Sequence, residues 1–351
     1  MPYRKNATVK NFPNQHNDLV FVDAHYAVMT NPGFKVLFTP TDKLCYDHFF
    51  YLDTPAEMNL QWLDNNMDIS PGDLNAWKEY ERQALSTACE SLGKELIFLD
   101  EDTANCVQFM ASWVTQYSRK YDYKNIAYTL VEEFIKQHDQ DHYTNVLLMD
   151  CDNTFATHDA THDFCDFLNS PRSKLRDIFG GYRYSSYQFF KVAKLYRQFN
   201  PDDITAAIDF AASKINLSPH VCRLIKHQKN THVIALTAGL LEVWATKIRT
   251  LPDVDAIFGN SLKPGQPYLV TPAFKKYVAQ AFKAKGFTIT AIGDSIIDIP
   301  MLEASHQAYI VAHSKINPTT QQYFENNPQT KIMQIFAHQW VYPVQQYAME
   351  G

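Results

Sequence analysis

The segment Asn145–Thr154 constrains the fold most. An apolar run, Val146-Leu147-Leu148-Met149, stops abruptly at two carboxylates two residues apart, Asp150 and Asp152. A run of that length bounded by polar residues reads as a short buried strand. In open α/β sheets ligands bind in the crevice outside the carboxyl ends of the strands, so a D-x-D at such an end is badly placed for a core and well placed for a site.

Two later runs end in a similar way. Thr231-His232-Val233-Ile234-Ala235-Leu236 leads into Thr237-Ala238-Gly239, and Phe287-Thr288-Ile289-Thr290-Ala291-Ile292 leads into Gly293-Asp294-Ser295, with Asp298 following. Three strand ends therefore offer an acid pair, a hydroxyl and a second acid pair. In order and content they resemble the haloacid dehalogenase-like superfamily, whose phosphatases carry D-x-D-x-T, then a Ser or Thr after a strand, then a Lys, then G-D-x-x-x-D. This chain supplies Asp150, Asp152 and Thr154, then Thr237, a choice of lysines, and Gly293, Asp294 and Asp298. The resemblance, to phosphoserine phosphatase-like members with a helical cap of the first class (C1), covers residues 144–351. It implies an α/β fold: a Rossmann-like core with a mostly parallel sheet, a helical cap inserted at about 157–230, and an N-terminal α+β region outside the resemblance.

The same resemblance implies the chemistry. Asp150 is the expected nucleophile, forming an aspartyl-phosphate, and Asp152 the expected acid and base. Dehalogenase members lack the second acid, so Asp152 favours phosphate over halide chemistry. Phosphoryl transfer spreads charge over three oxygens, and catalysis is mostly positioning and cationic stabilisation of that charge. A carboxylate nucleophile repels phosphate unless a metal intervenes, and Mg²⁺ suits a site of hard oxygen ligands. Asp150, Asp294 and Asp298 can supply carboxylates, and the resemblance adds the backbone carbonyl of Asp152. Thr154, Thr237, Ala238 and Gly239 are the expected phosphate-binding residues, with backbone amides of the last two serving as an anion nest. A lysine is expected on the helix before the Gly-Asp strand, as a point charge on phosphate and nucleophile. Two positions fit: Lys275, behind a helix start at Thr271-Pro272, and Lys263, in a Lys-Pro pair.

Asp159 lies where phosphoserine phosphatase-like members often carry an acid that contacts the leaving group; it equally suits a helix N-terminus, where the macrodipole favours an acid. His158 and His162 stand at i and i+4, a spacing that places two imidazoles on one helix face. Cys151 reads as a small core-facing residue between the two acids.

The first 143 residues match no motif. Short strands are expected at 19–22, 34–38, 48–52 and 95–99, and helices at about 71–91, 104–119 and 126–137. The polar run Gln137–His142 reads as a joint to the catalytic part, 144–351. Between the first two motifs, 173–179, 186–198, 203–214 and 219–229 read as helices of the cap. Arg183 and Tyr184 are candidates to face the substrate there.

A net charge of −6 argues against a nucleic-acid backbone as partner. No apolar stretch approaches the roughly 20 residues that span a bilayer, and Met1–Asn6 lacks a signal-peptide core. Six cysteines without a C-x-x-C pair read as reduced thiols of a cytoplasmic protein, a composition that export by a signal-independent route would share. The expected activity is Mg²⁺-dependent hydrolysis of a phosphate monoester, with a small phosphorylated metabolite first. The alternatives are a phosphatase or phosphotransferase acting on a macromolecule recruited by residues 1–143, and a non-catalytic partner-binding protein on the same scaffold.

Overall fold

The structure is a computed structural model; it describes residues 22–30, 33–46, 48–62, 69–92, 94–100, 103–117, 123–138, 142–170, 172–179, 184–263, 266, 268–312 and 315–336. The chain divides into two compact units, Met1–Asp102 and Thr103–Gly351.

In the first unit, β1 (Ala27–Met29) pairs antiparallel with β2 (Phe34–Val36). Gly33, at φ 84, closes the turn between them, and its carbonyl accepts from the Thr30 amide at 2.7 Å. Helix α1 (Pro40–Cys45) starts with a capping box in which Thr39 and Asp42 satisfy each other's backbone amides. β3 (Phe49–Leu52) follows, then α2 (Ala56–Trp62), the long α3 (Pro71–Leu92) and β4 (Leu96–Leu99), which pairs parallel with β3. α3 holds β1 at two points: Trp77 Nε1 donates to the Ala27 carbonyl at 3.0 Å, and the Ala27 amide donates to Glu81 Oε1 at 2.9 Å. Phe49, Leu85 and Cys89 form the small core, ringed by Tyr26, Phe38, Tyr46 and Tyr51. The strand expected at 19–22 lies outside the described residues, except for Val22, which is in no strand.

The second unit opens with α4 (Thr103–Tyr117) and α5 (Tyr123–Gln137). The parts of the expected 137–142 joint at 139–141 lie outside the described residues. β5 (Asn145–Met149) comes next, followed by a helical insertion: α6 (Ala160–Phe167), α7 (Arg172–Phe179), α8 (Ser186–Tyr196), α9 (Pro201–Lys214) and α10 (Pro219–Lys226). Most of these helices have a ready start signal. Asp159, Ser185, Asn200 and Ser218 are N-cap residues, and Pro201 and Pro219 fill first-turn positions where no amide is needed. The chain then returns to the sheet with β6 (Thr231–Leu240), α11 (Leu241–Ile248), β7 (Ala256–Asn260), α12 (Pro272–Ala284), β8 (Thr288–Gly293), α13 (Ile299–Ala304), β9 (Gln307–Ala312), α14 (Pro318–Asn326) and β10 (Met333–Phe336).

Six strands form one parallel sheet in the order β10-β9-β8-β5-β6-β7. This is the α/β architecture with a parallel sheet expected from the sequence. β5 sits between β6 and β8, with Met149 level with Ala235 on one side and Ile292 on the other. One residue further along, Asp150 stands at the end of β5, between the carboxyl-terminal part of β6 and the end of β8. Strands buried on both faces explain the near-continuous apolar runs, since helices cover a parallel sheet on both sides. α12 packs against α5 and α13, and α9 packs against α6 and α11. Val146, Leu147, Leu148 and Met149 are all buried. Among the described residues no helix is long and apolar enough to cross a membrane. None of the six cysteines is in a disulfide.

Because Leu148 is fully buried in the central strand, Leu148→Ala should destabilise the protein by about 2–5 kcal/mol. Urea denaturation would register this as a lower midpoint at unchanged slope; a loss under about 1 kcal/mol would contradict the placement.

Candidate active site

The site begins where β5 stops. The Asp150 amide donates to the Ile292 carbonyl at 2.9 Å, fixing the strand end to β8. A wide turn over Cys151–Phe155 follows, closed by the Ala156 amide donating to the Cys151 carbonyl at 3.1 Å. Inside it Asn153 takes φ 53, a left-handed conformation that asparagine tolerates better than most side chains. The turn buries Cys151, Thr154 and Phe155 and leaves Asp150 and Asp152 with separate partners.

Asp150 meets Lys275. Thr271 caps α12, accepting from the Phe274 amide at 3.2 Å, and Pro272 begins the helix, so Lys275 falls in its first turn. Lys275 is 1% exposed, and its Nζ donates to Asp150 Oδ1 at 2.6 Å and to Asp298 Oδ1 at 2.7 Å. The other oxygen of Asp298 accepts from the Asp294 amide, the Ser295 amide and Ser295 Oγ, each at 3.2 Å. Gly293 makes this possible, because a Cβ there would lie 2.4 Å from the Asp298 side chain. Asp150, Asp294 and Asp298 bring carboxylate oxygens within 4.8 Å of one another. Thr154 Oγ1 lies 3.5 Å from Asp150 Oδ2, at the limit of a hydrogen bond.

Three carboxylates around one ammonium leave negative charge in excess. Burial and the nearby Asp298 push Asp150 up to about 7, even though Lys275 opposes the shift. Burial, with Asp150 and Asp298, drives Asp294 well above the carboxylate range. Burial alone would lower Lys275, but Asp150 and Asp298 outweigh it and hold the ammonium above its ordinary value. A surplus of hard oxygen donors over one buried cation is a donor set that fits Mg²⁺.

Asp152 has other neighbours. Its Oδ1 accepts from the Ala160 amide at 2.8 Å, at the start of α6. Trp244 Nε1 lies 3.2 Å from each carboxyl oxygen, and Thr237 Oγ1 donates to Oδ2 at 3.4 Å. Thr237 Oγ1 in turn accepts from the Gly239 amide at 2.9 Å. A Cβ on Gly239 would stand 2.4 Å from Asp152 Oδ2, so the glycine leaves the space that the carboxyl fills. Burial, then Asp159 and Asp150, raise Asp152 well above its ordinary value, against the pull of the Ala160 and Trp244 donors.

Of the remaining expected residues, the Ala238 carbonyl accepts from Asn260 Nδ2 at 2.9 Å. Lys263 is exposed; its amide donates to Ser261 Oγ at 3.0 Å, and its ammonium is not brought to the acids. Asp159 caps α6 through the Thr161 amide at 2.8 Å and stands 3.8 Å from His162 Nε2. His158 pairs with Asp163 at 2.9 Å, so the two imidazoles face acids instead of sharing a ligand. Tyr184 stacks on Phe179, with ring centroids 5.3 Å apart. Arg183 lies outside the described residues.

Sequence reasoning missed Trp244, Ser295 and Asn260. Asn260 joins the Ala238 carbonyl to Val270, whose amide donates to its Oδ1 at 2.6 Å, and so ties the end of β6 to the segment leading into α12. A polar residue at the end of an apolar run was the available signal for Asn260. For Trp244 there was none, since a helical tryptophan reads as core.

Comparison with family models matches residues 147–303 to the haloacid dehalogenase-like hydrolase family. Comparison with curated proteins gives no match. Among solved structures, a HAD family hydrolase from Salmonella enterica subsp. enterica serovar Typhi is 17% identical at a TM-score of 0.43, over 59% of this chain and 75% of that one. A phosphoserine phosphatase, solved as a phospho-aspartyl intermediate analogue, is 16% identical at 0.44, over 54% and 93%. A phosphoserine phosphohydrolase-like protein from Francisella tularensis subsp. tularensis is 16% identical at 0.39, over 54% and 94%.

Lys275→Met would leave Asp150 and Asp298 buried without their cation, a loss worth about 3–5 kcal/mol. Urea unfolding should show that loss, and adding Asp298→Asn should recover part of it; an additive second loss would mean that the ammonium does not hold this pair.

Proposed function

We propose, from the match of residues 147–303 to the haloacid dehalogenase-like hydrolase family, that the chain is a phosphatase that hydrolyses a phosphate monoester through an aspartyl-phosphate on Asp150. The observation that carries the reading is the contrast between two acids two residues apart. Asp150 lies 2.6 Å from a buried ammonium. Asp152 is raised by burial and by the acids Asp159 and Asp150. Paired carboxylates whose surroundings differ in this way suit different roles, one as nucleophile and one as proton carrier.

An oxygen of Asp150 attacks phosphorus as the bond to the leaving oxygen breaks, and Asp152 gives that oxygen its proton. Asp152 then takes a proton from water, whose oxygen attacks phosphorus and breaks the bond to Asp150, releasing inorganic phosphate. Lys275 compensates the charge on the nucleophile and on the phosphate. The Thr237 hydroxyl and the backbone amides of Ala238 and Gly239 would serve the phosphate oxygens, the hydroxyl turning from Asp152 and the Gly239 amide from Thr237 Oγ1, together with the Thr154 side of the Asp150 turn. Asp150, Asp294, Asp298 and the Asp152 carbonyl would hold Mg²⁺, which when bound offsets the surplus negative charge and draws the phosphate toward the nucleophile.

The helical insertion, expected at about 157–230, serves in this reading as a cap, with residues 144–351 as the catalytic part. A lid of that kind excludes water and encloses a small leaving group, which favours a small phosphorylated metabolite. Asp159, beside Asp152, is the insertion's candidate for a contact with that group.

The purified chain, assayed on a panel of alkyl and aryl phosphates with and without Mg²⁺, should release phosphate only with metal, and Asp150→Asn should reduce release to background. Wild-type turnover by Asp150→Asn would overturn the mechanism.

A second expectation concerns pH. Asp150 at about 7, and Asp152 and Asp294, also raised by burial and neighbouring acids, bind protons more tightly folded than unfolded. Their contribution to stability is therefore complete below the unfolded carboxylate value of about 4 and is lost as pH rises through the folded values. Mg²⁺ favours the ionised forms, so the rise in Tm on adding it should be larger at about pH 8 than at about pH 5. Equal shifts at the two values would count against a metal among these acids.

A further inference from the structure

Trp244 has no part in the chemistry above, yet its one polar atom is committed to it. The residue is fully buried in α11, and its ring packs on Phe155 at 6.4 Å between centroids. A buried indole N–H needs an acceptor. Here Nε1 stands 3.2 Å from both oxygens of Asp152, a shared donor facing the carboxyl group end on.

Three elements thus converge on this one side chain. The Ala160 amide holds Oδ1 at 2.8 Å, Thr237 Oγ1 reaches Oδ2 at 3.4 Å, and Trp244 spans the two. The amide is backbone, and the hydroxyl is the group that a phosphate oxygen would share. Beside that amide, the indole is the side-chain donor left to Asp152 when the site is filled, and it packs on Phe155.

We infer that Trp244 is a positioning residue that fixes the carboxyl of Asp152 for proton transfer to the leaving oxygen, an inference that rests on the phosphatase reading. Its effect should follow the need for that proton. An alkyl alkoxide leaves poorly without one, whereas a nitrophenolate leaves readily. A residue that only supported the fold would affect both substrates alike.

The test uses the full chain with Mg²⁺ and the variants Trp244→Phe, which keeps an aromatic ring and removes the N–H, and Asp152→Asn as reference. For p-nitrophenyl phosphate and the best alkyl phosphate of the panel, kcat/KM reports the steps through the first P–O cleavage. The inhibition constant of inorganic phosphate reports the Asp150, Lys275 and metal side of the site separately. In Trp244→Phe the alkyl-to-aryl ratio of kcat/KM should fall about 10–100-fold, part of the 10²–10⁴ that acid catalysis contributes, while phosphate inhibition stays within about twofold. Trp244→Met, equally without the donor and more adaptable in a core, gives the same readout if the Phe variant does not fold. An unchanged ratio in the Trp244 variants, beside a collapsed ratio in Asp152→Asn, overturns the inference and leaves the phosphatase reading standing. An unchanged ratio in Asp152→Asn itself removes the acid assignment, and this inference with it.

Discussion

The buried contact of Lys275 with Asp150 and Asp298 is what the rest of the site depends on. A parallel sheet gathers the ends of its strands at one edge, and here that edge carries acids from the loops after β5 and β8. Carboxylates crowded into a low-dielectric space repel one another, and isolated buried charge costs several kcal/mol even after relaxation. One ammonium, 2.6 Å from one acid and 2.7 Å from the other, offsets part of that repulsion. Three donors from the Asp294–Ser295 turn stabilise the remaining oxygen of Asp298. Position of the backbone is subordinate to this arrangement: Gly293 is required because any side chain there would occupy the space that Asp298 fills.

The helical insertion is joined to the chemistry at its first residue. Ala160 begins α6, and its amide is the shortest of the contacts to Asp152. Asp159, one residue earlier, caps the same helix and adds to the field that raises Asp152. The orientation and the proton affinity of one acid are therefore set partly by the helical insertion. Trp244 reaches the same acid from α11, on the far side of the insertion in sequence.

Much of the second unit was legible because its strands are apolar runs ending in chemistry-bearing residues. The runs that end at Asp150, Thr237 and Gly293 all fall in the central part of the sheet. Helix starts at Thr271 and Ser218 were marked by a capping side chain followed by proline, whereas the same mark at Asn200-Pro201 went unread and that helix was placed from 203. Lys275 and Lys263 could not be separated by spacing, because each stands at a sensible distance from Gly293; burial and hydrogen bonding separate them. Trp244 was illegible for a different reason: its acceptor is 92 residues away, and no local pattern reports an indole's partner. In the first unit, β1 has three residues and α1 six, too few to establish a period, and neither was read from the sequence.

The strand order also bears on when the site comes into being. β5 lies in the middle of the sheet, but both of its neighbours come later in the chain, and Lys275 follows Asp150 by 125 residues. At about 5–20 residues per second of synthesis, roughly 6–25 s separate the two on the ribosome. Throughout that interval the nascent chain carries its first acids without the ammonium that offsets them, and until β6 is made it lacks both flanking strands. Assembly of the site is thus a late event in synthesis, and a chain halted before α12 has Asp150 but not the ammonium that pairs with it.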